Sequence, residues 1–417
     1  MANTFNLGNG SWAQKTEKLL AYNAENDNYK PLPFDFDRAS SATRVNKQGL
    51  IETVSTDKPR IDFLNNTKGH LLLEPFRRNI ADYSEDGTEW NATNVTVSLD
   101  SSINKPDGIA GAYKVTDNTT NGQHRVDVRP TVVNGTQYAF SAFVKQVENS
   151  DVDFMYLLFT SKFTTTRVRF NLSNGTATGS DGTIENYGNG WYRVSATATA
   201  NADGVAVFGV NLMDADSGST YAGTGNGAMY VFGMQVEDSG SGGDAEYATS
   251  YIPTSGSAET RSGETLVQDN MLTSLFNRQG MAFYLEVEAL ANDSETKSIT
   301  INDGSGTDRF VLQLTGNQIS TFTISSLGTT GFSIAAPNTD TTQTNKVAAS
   351  FNASNGYLYI NGTQIDVDTI SNVIGDDLSK ISFGNHSLTN NIFYGKIKDC
   401  KIYNTALTPA ELTALTS

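Results

Sequence analysis

The sequence predicts an all-β protein: two tandem β-sandwiches, at least one a jelly roll, behind an extended N-terminal arm and closed by one short C-terminal helix. Three observations carry this expectation. Runs such as "QYAFSAFVKQV" and "MAFYLEVEAL" alternate with the two-residue period of half-buried strands. Turn signals such as "SNGT", "SDGT" and "NADG" separate these runs. Many short strands at regular spacing imply a sandwich or jelly roll.

Residues 1–80 differ from the rest. "SWAQKTEKLLAY" reads as a short helix with Ser11 as N-cap. The prolines of "YKPLPFDF" hold the next stretch extended. Helical periodicity is poor beyond it and apolar content is thin, so this region is expected to be an arm or base that packs on something else. Residues 81–256 form the first sandwich. Tyr138, Phe140, Ala142 and Val144 point one way along their strand, and Ala139, Ser141, Phe143 and Lys145 the other. "DSGSGGD" at 238–244 reads as a flexible loop. Residues 257–417 form the second sandwich. Two Asn-Gly dipeptides between alternating runs in "KVAASFNASNGYLYINGTQIDV" are strong hairpin signals. At the end, Thr408 fits an N-cap, Pro409 sits at N1, and Glu411 at N3 completes a capping box.

The 417 residues carry a net charge of −16, with 38% hydrophobic and 10% aromatic residues. That composition supports packed cores. The acidity argues against nucleic-acid and anionic-membrane partners, which reward basic patches. No apolar run approaches the ~18 residues that suggest a membrane span, and no signal peptide is visible. Synthesis in a cytoplasm is expected. The lone Cys400 excludes an intrachain disulfide and reads as a small core residue.

A search for chemistry yields little. Glu286 and Glu288 share one face of a strand, but the apolar opposite face makes them the solvent side of an ordinary amphipathic strand. His70, His124 and His386 read as surface or locally bonded imidazoles, and no G-x-S-x-G elbow is present. "NDGSGTDRF" gathers Asn302, Asp303 and Asp308 in an oxygen-rich loop of the kind calcium favours, although turn chemistry alone explains such a run. No metal or cofactor is expected. "GTGNGA" at 223–228 meets a dinucleotide pattern, yet a strand-like run follows it where a helix is needed. Trp90 and Tyr221 are candidate sugar platforms, whereas Trp191 is expected to open a strand and pack in the core.

"GNGSWAQKTEKLLAY", "FDFDRASSATRVNKQGLIE", "PRIDF" and "GHLLLEPFRRNI" together resemble the N-terminal region of a group of bacteriophage virion proteins: tail, fibre and appendage subunits. "YSEDGTEW", "GNGWYRVSATAT", "MYVFGMQVE" and "YATSYIPTSG" resemble carbohydrate-binding-module jelly rolls. "FYGKIKDCKIYNTALTPAELTALTS" resembles concanavalin A-like lectin/glucanase sandwiches. The glucanase signature E-x-D-x-x-E would need an acid where Ala291 stands, so no catalytic residue is carried over.

The resemblance implies a non-enzymatic virion structural protein, made in the host cytoplasm. Its partners would be other virion proteins and copies of itself, with a trimer favoured. Host-surface glycan recognition and pure scaffolding are its two forms, and tail fibre, head fibre and capsid decoration are its possible places. A glycan-degrading depolymerase and a non-viral lectin-like adhesion module are the alternatives. Within the arm, Asp35, Asp37, Arg38, Arg44 and Glu52 have the types that form charge-assisted bonds and read as an assembly clasp. A shorter echo, "SGSAETRSGE" at 255–264, marks the border between the sandwiches.

Overall fold

The computed structural model of the chain describes residues 5–15, 18–20, 34–178, 182–215, 218–269, 275–325, 327–375 and 377–417. All named strand pairings in it are antiparallel. The described helix Pro409–Thr416 is too short to cross a membrane, and no other is long and apolar enough.

The chain divides into two units: 1–41, 54–75 and 263–417 in the first, and 42–53 with 76–262 in the second. This corrects the expected division at 80 and 256. The first 80 residues make no separate arm, because Phe5–Gly8, Asp35–Asp37, His70–Leu73 and Arg77–Asn79 pair with strands distant in sequence. Apolar content looked thin there because these strands are short, and each adds only one or two residues to a shared core.

In the first unit, Met281–Ala289 lies between Asn345–Phe351 and Gly395–Tyr403. The free side of Gly395–Tyr403 is covered by two early segments: Phe5–Gly8 pairs with its far end and His70–Leu73 with its near end. A seven-stranded sheet faces it, built on Thr296–Asn302, Arg309–Thr315 and Gln318–Ile324. Strand Asp35–Asp37 closes the edge of this second sheet against Thr265–Gln268. Alternation places Phe283, Leu285, Val287, Ile299, Ile301, Phe310 and Leu312 in the core between them. The expected helix over 11–22 is replaced, among the described residues, by the short strands Ala13–Lys15 and Lys18–Leu20. The extended run expected at 29–33 lies outside the described residues. At the other end, Thr408 and Glu411 form the expected capping box. The helix sets Leu412 against Tyr284, Ala348 and Tyr359 on the outer face of the first sheet.

In the second unit, a six-stranded sheet centred on Val207–Met213 and Phe154–Thr160 packs on an eight-stranded sheet centred on Ala228–Asp238 and Gln137–Gln146. Tyr138, Phe140, Ala142 and Val144 enter the shared core, as the alternation predicts. The opposite face of that strand is also covered, with Phe143 against Tyr187, Phe232 and Tyr251. Trp191 opens its strand and is buried, its indole N–H donating to the Asn104 carbonyl at 2.9 Å.

Candidate functional site

In the first unit, the chain turns sharply at 277–280. Asn277 Oδ1 accepts from the Gln279 N–H (2.9 Å), and the Asn277 carbonyl accepts from the Gly280 N–H (3.1 Å). Between this turn and Gly375 and Leu378 lies a pocket of about 250 Å³, lined by Phe276, Asn277, Arg278, Gln279, Gly375 and Leu378. That is slightly under the roughly 300 Å³ at the small end of ligand pockets. Phe276 and Leu378 are buried and give an apolar floor, while Arg278 and Gln279 are exposed at the rim. An apolar floor with amide and guanidinium donors suits a small hydroxyl-rich group, and none of the described lining residues is a nucleophile or general base.

Gly375 belongs to this wall and to a second feature. Its N–H donates to Asp308 Oδ1 at 2.6 Å. A Cβ built there would stand 2.8 Å from Asp308 Oδ2 and 2.9 Å from Asp377 Oδ1, so only glycine lets the two carboxylates approach the backbone. Asp303, Asp308 and Asp377 each bring one carboxylate oxygen within 4.8 Å of the others, a donor set that could hold a hard cation. Asp303 and Asp308 were legible in the sequence. Asp377 was not, since it lies 69 positions beyond Asp308 and only the short "GDDLSK" run hinted at it. Asn302 turns away: its Oδ1 accepts from the Gly304 N–H at 2.8 Å.

The five clasp residues do not converge. Arg38 is fully buried, and its five N–H donors meet the carbonyls of Ser40, Val54, Ser55 and Lys58 and the Glu264 carboxylate. Glu264 also takes two bonds from Arg60, at 2.8 and 2.5 Å, and one from the Glu74 N–H at 2.8 Å. Glu74 pairs with Arg60 at 2.8 Å, which balances two buried cations with two anions. Burial alone would lower the Arg60 guanidinium, but Glu264 and Glu74 overcome it and push it well above its ordinary value. Glu264 is the last residue of the "SGSAETRSGE" echo, whose single-sequence pattern gave no sign of this role. Asp35 and Asp37 lie at the solvent-facing positions of their strand. Arg44 and Glu52 belong to the second unit, where Arg44 Nη2 meets Glu52 Oε1 at 2.7 Å across a hairpin turned by Asn46 and Gly49.

The platform reading of Trp90 and Tyr221 is corrected. Both are under 10% exposed. The Trp90 indole donates to the Tyr83 carbonyl at 2.9 Å and packs on Tyr113, and Tyr221 stacks on His124. Their neighbouring Gly and Ser residues suggested open loops, but the rings fold inward. Among the histidines, His124 departs from expectation: it is fully buried, with its ring nitrogens against the carbonyls of Asn94 (2.7 Å) and Tyr221 (3.2 Å), both distant in sequence. His70 also departs from expectation: it is 2% exposed on a central strand. Glu288 meets Lys396 at 2.6 Å and Thr344 at 3.0 Å on the outer sheet face, outside the pocket. Cys400 is a core residue, as expected, and burial pushes its thiol well up.

Comparison with known proteins places part of this architecture. Residues 261–413 match the family described as the Concanavalin A-like lectin/glucanases superfamily. The pocket and the three aspartates lie within this matched segment. Among solved structures, the sialidase carbohydrate-binding module CBM40 of Ruminococcus gnavus is similar at 15% identity, over 36% of this chain and 92% of that one, with a TM-score of 0.31. The binding domain of botulinum neurotoxin serotype G is similar at 16% identity, over 36% of this chain and 40% of that one, with a TM-score of 0.30. The receptor-binding domain of botulinum neurotoxin D gives 16%, 37%, 41% and 0.30. These likenesses concern fold alone. No curated protein matches the chain.

Proposed function

We propose that this chain is a non-enzymatic structural subunit of a bacteriophage particle, an appendage, fibre or decoration protein on head or tail. In this reading its lectin-like domain binds a host-surface saccharide in the pocket lined by Phe276, Asn277, Arg278, Gln279, Gly375 and Leu378. It works beside other virion proteins and as a homo-oligomer, with a trimer favoured. The observation that carries the binding half is the pocket itself: an apolar floor rimmed by amide and guanidinium donors, inside a concanavalin A-like domain. The particle half rests on the N-terminal sequence resemblance.

Two measurements test it. Calorimetric titration of neutral oligosaccharides should show binding that Arg278→Ala or Gly375→Val weakens about tenfold or more, the loss of one charged hydrogen bond or of the space itself. Mass spectrometry of purified particles should find the chain in them. Saccharide binding without particle association would favour the lectin-like adhesion module instead. Unchanged affinity in both variants would remove the pocket from the proposal.

A further inference from the structure

The second unit carries an independent feature that this pocket does not explain. The inner face of its six-stranded sheet is apolar, through Val126, Val210, Leu157 and Val168. The outer face has a different character. Strand register sets Arg125 opposite Asn211, Asn211 opposite Tyr156, and Tyr156 opposite Arg169, in one transverse row. In the next row Asp127 stands opposite Gly209, Gly209 opposite Leu158, and Leu158 opposite Arg167. Alternation puts all of these side chains on the same face.

Three observations on this face point to a ligand. Asn211 is fully buried, and neither its amide nitrogen nor its oxygen has a hydrogen-bond partner. Buried side-chain amides are nearly always bonded, so this one calls for an explanation. Its amide leans into the hollow left by Gly209, where a Cβ would stand 3.0 Å from Asn211 Nδ2. Second, the charges are unevenly matched. Asp127 is shared by Arg125 (3.3 Å) and Arg129 (2.6 Å). Arg167 and Arg169, half-buried and two residues apart on one strand, make no ion pair among the described residues, and the Nε of each is buried without a partner. In a chain with 45 acidic and 29 basic side chains, two adjacent arginines without a carboxylate among the described residues are an anomaly. Third, Tyr156, Leu158 and Met213 form a small buried apolar cluster beside them, with the Arg167 guanidinium 5.9 Å from the Tyr156 ring centre.

We infer that this outer face is a binding site for an acidic oligosaccharide, one bearing carboxylate or sulfate groups. Arg167 and Arg169 stand ~7 Å apart along the strand and grip the acid groups. Ligand hydroxyls entering between the arginines supply the partners that Asn211 lacks, and the buried Tyr156–Leu158–Met213 cluster holds the arginine-bearing face rigid beneath the ligand. The chain's overall negative charge repels polyanions at long range. The site therefore works by short charge-assisted bonds and discriminates against long polyanions such as nucleic acid.

The experiment uses the full chain. Oligogalacturonate and a sulfated oligosaccharide are the acidic probes, a neutral glucan and a single-stranded oligonucleotide the controls, each titrated at low and high salt. The expected result is binding of at least one acidic probe, weakened by salt, with no binding of the oligonucleotide. Arg167→Ala/Arg169→Ala should reduce that affinity about tenfold or more, with the cooperative melting transition retained, because neither guanidinium is ion-paired among the described residues. Arg169→Lys should restore part of the affinity. Arg278→Ala should leave it intact, so that this site and the lectin-like pocket fail separately. Absence of acidic-probe binding in the folded wild type, unchanged affinity in the double variant, or equal binding of the oligonucleotide would overturn the inference.

Discussion

At the scale of single residues, the strongest constraint is the buried charge network around Glu264. Two guanidiniums converge on its carboxylate with no solvent to screen them. Glu264→Gln would leave Arg38 and Arg60 with one carboxylate between them, and breaking a buried pair in this way costs about 3–5 kcal/mol. Arg44→Ala removes a half-exposed pair instead and should cost under about 1 kcal/mol. Denaturant unfolding of both variants would check the contrast; similar losses would show that the Glu264 network does not bear on stability. His70 gives a pH-dependent counterpart. Burial first, then Lys396, Lys398 and Arg60, pushes its imidazole from 6.5 down to about 3, despite Asp62 at 3.5 Å. The unfolded chain binds this proton more readily, so stability is complete above pH 6.5 and falls as pH drops below it. Between pH 6.5 and 5 the wild type should lose up to about 1.4 kcal/mol per pH unit relative to His70→Leu. Melts of the two proteins at pH 7, 6 and 5 measure this, and parallel curves would contradict it.

At the scale of elements, legibility followed the locality of the signal. The C-terminal helix was readable in full, because Thr408, Pro409 and Glu411 act within one turn. Thr408→Ala removes the hydroxyl that accepts the Glu411 N–H and should cost about 1 kcal/mol, seen as a lower melting temperature with an unchanged sheet spectrum. The alternating strands were equally readable, since period-two patterning is written in the strand itself. The segment "SWAQKTEKLLAY" misled, because its helix-forming residues sit next to Phe5–Gly8, a strand fixed by pairing with residues almost 400 positions away. Long-range pairing outweighs local propensity there. Trp90 and Tyr221 misled for a related reason: Gly and Ser neighbours mark a turn but do not say which way the ring points. The row on the six-stranded sheet was hidden because it runs across strands, joining residues 125, 211, 156 and 169, which only register can assemble.

At the scale of the molecule, the fold class and the two sandwiches were legible, but their chain boundaries were not. Seven apolar residues that precede position 76 belong to the core of the lectin-like unit: Phe5, Leu7, Leu19, Phe34, Ile61, Leu71 and Leu73. Burying each contributes ~1.5–3 kcal/mol, so together they supply on the order of 10–20 kcal/mol, an upper bound. The net stability of a domain is about 5–15 kcal/mol. A fragment of residues 257–417 alone thus lacks a share of its core as large as the whole margin of stability. It also keeps Glu264 without Arg38 or Arg60, and it exposes the edge of Gly395–Tyr403 that Phe5–Gly8 and His70–Leu73 cover. An uncovered edge invites pairing with another chain. The fragment should therefore aggregate or lack near-ultraviolet dichroism, although it contains the whole of the segment that matches the lectin/glucanase family model. Co-expression with residues 1–75 as a separate chain should recover soluble material, because the missing strands join by antiparallel pairing and core burial and need no covalent link. A monomeric, cooperatively melting 257–417 fragment would show that the early strands decorate this domain and do not complete it.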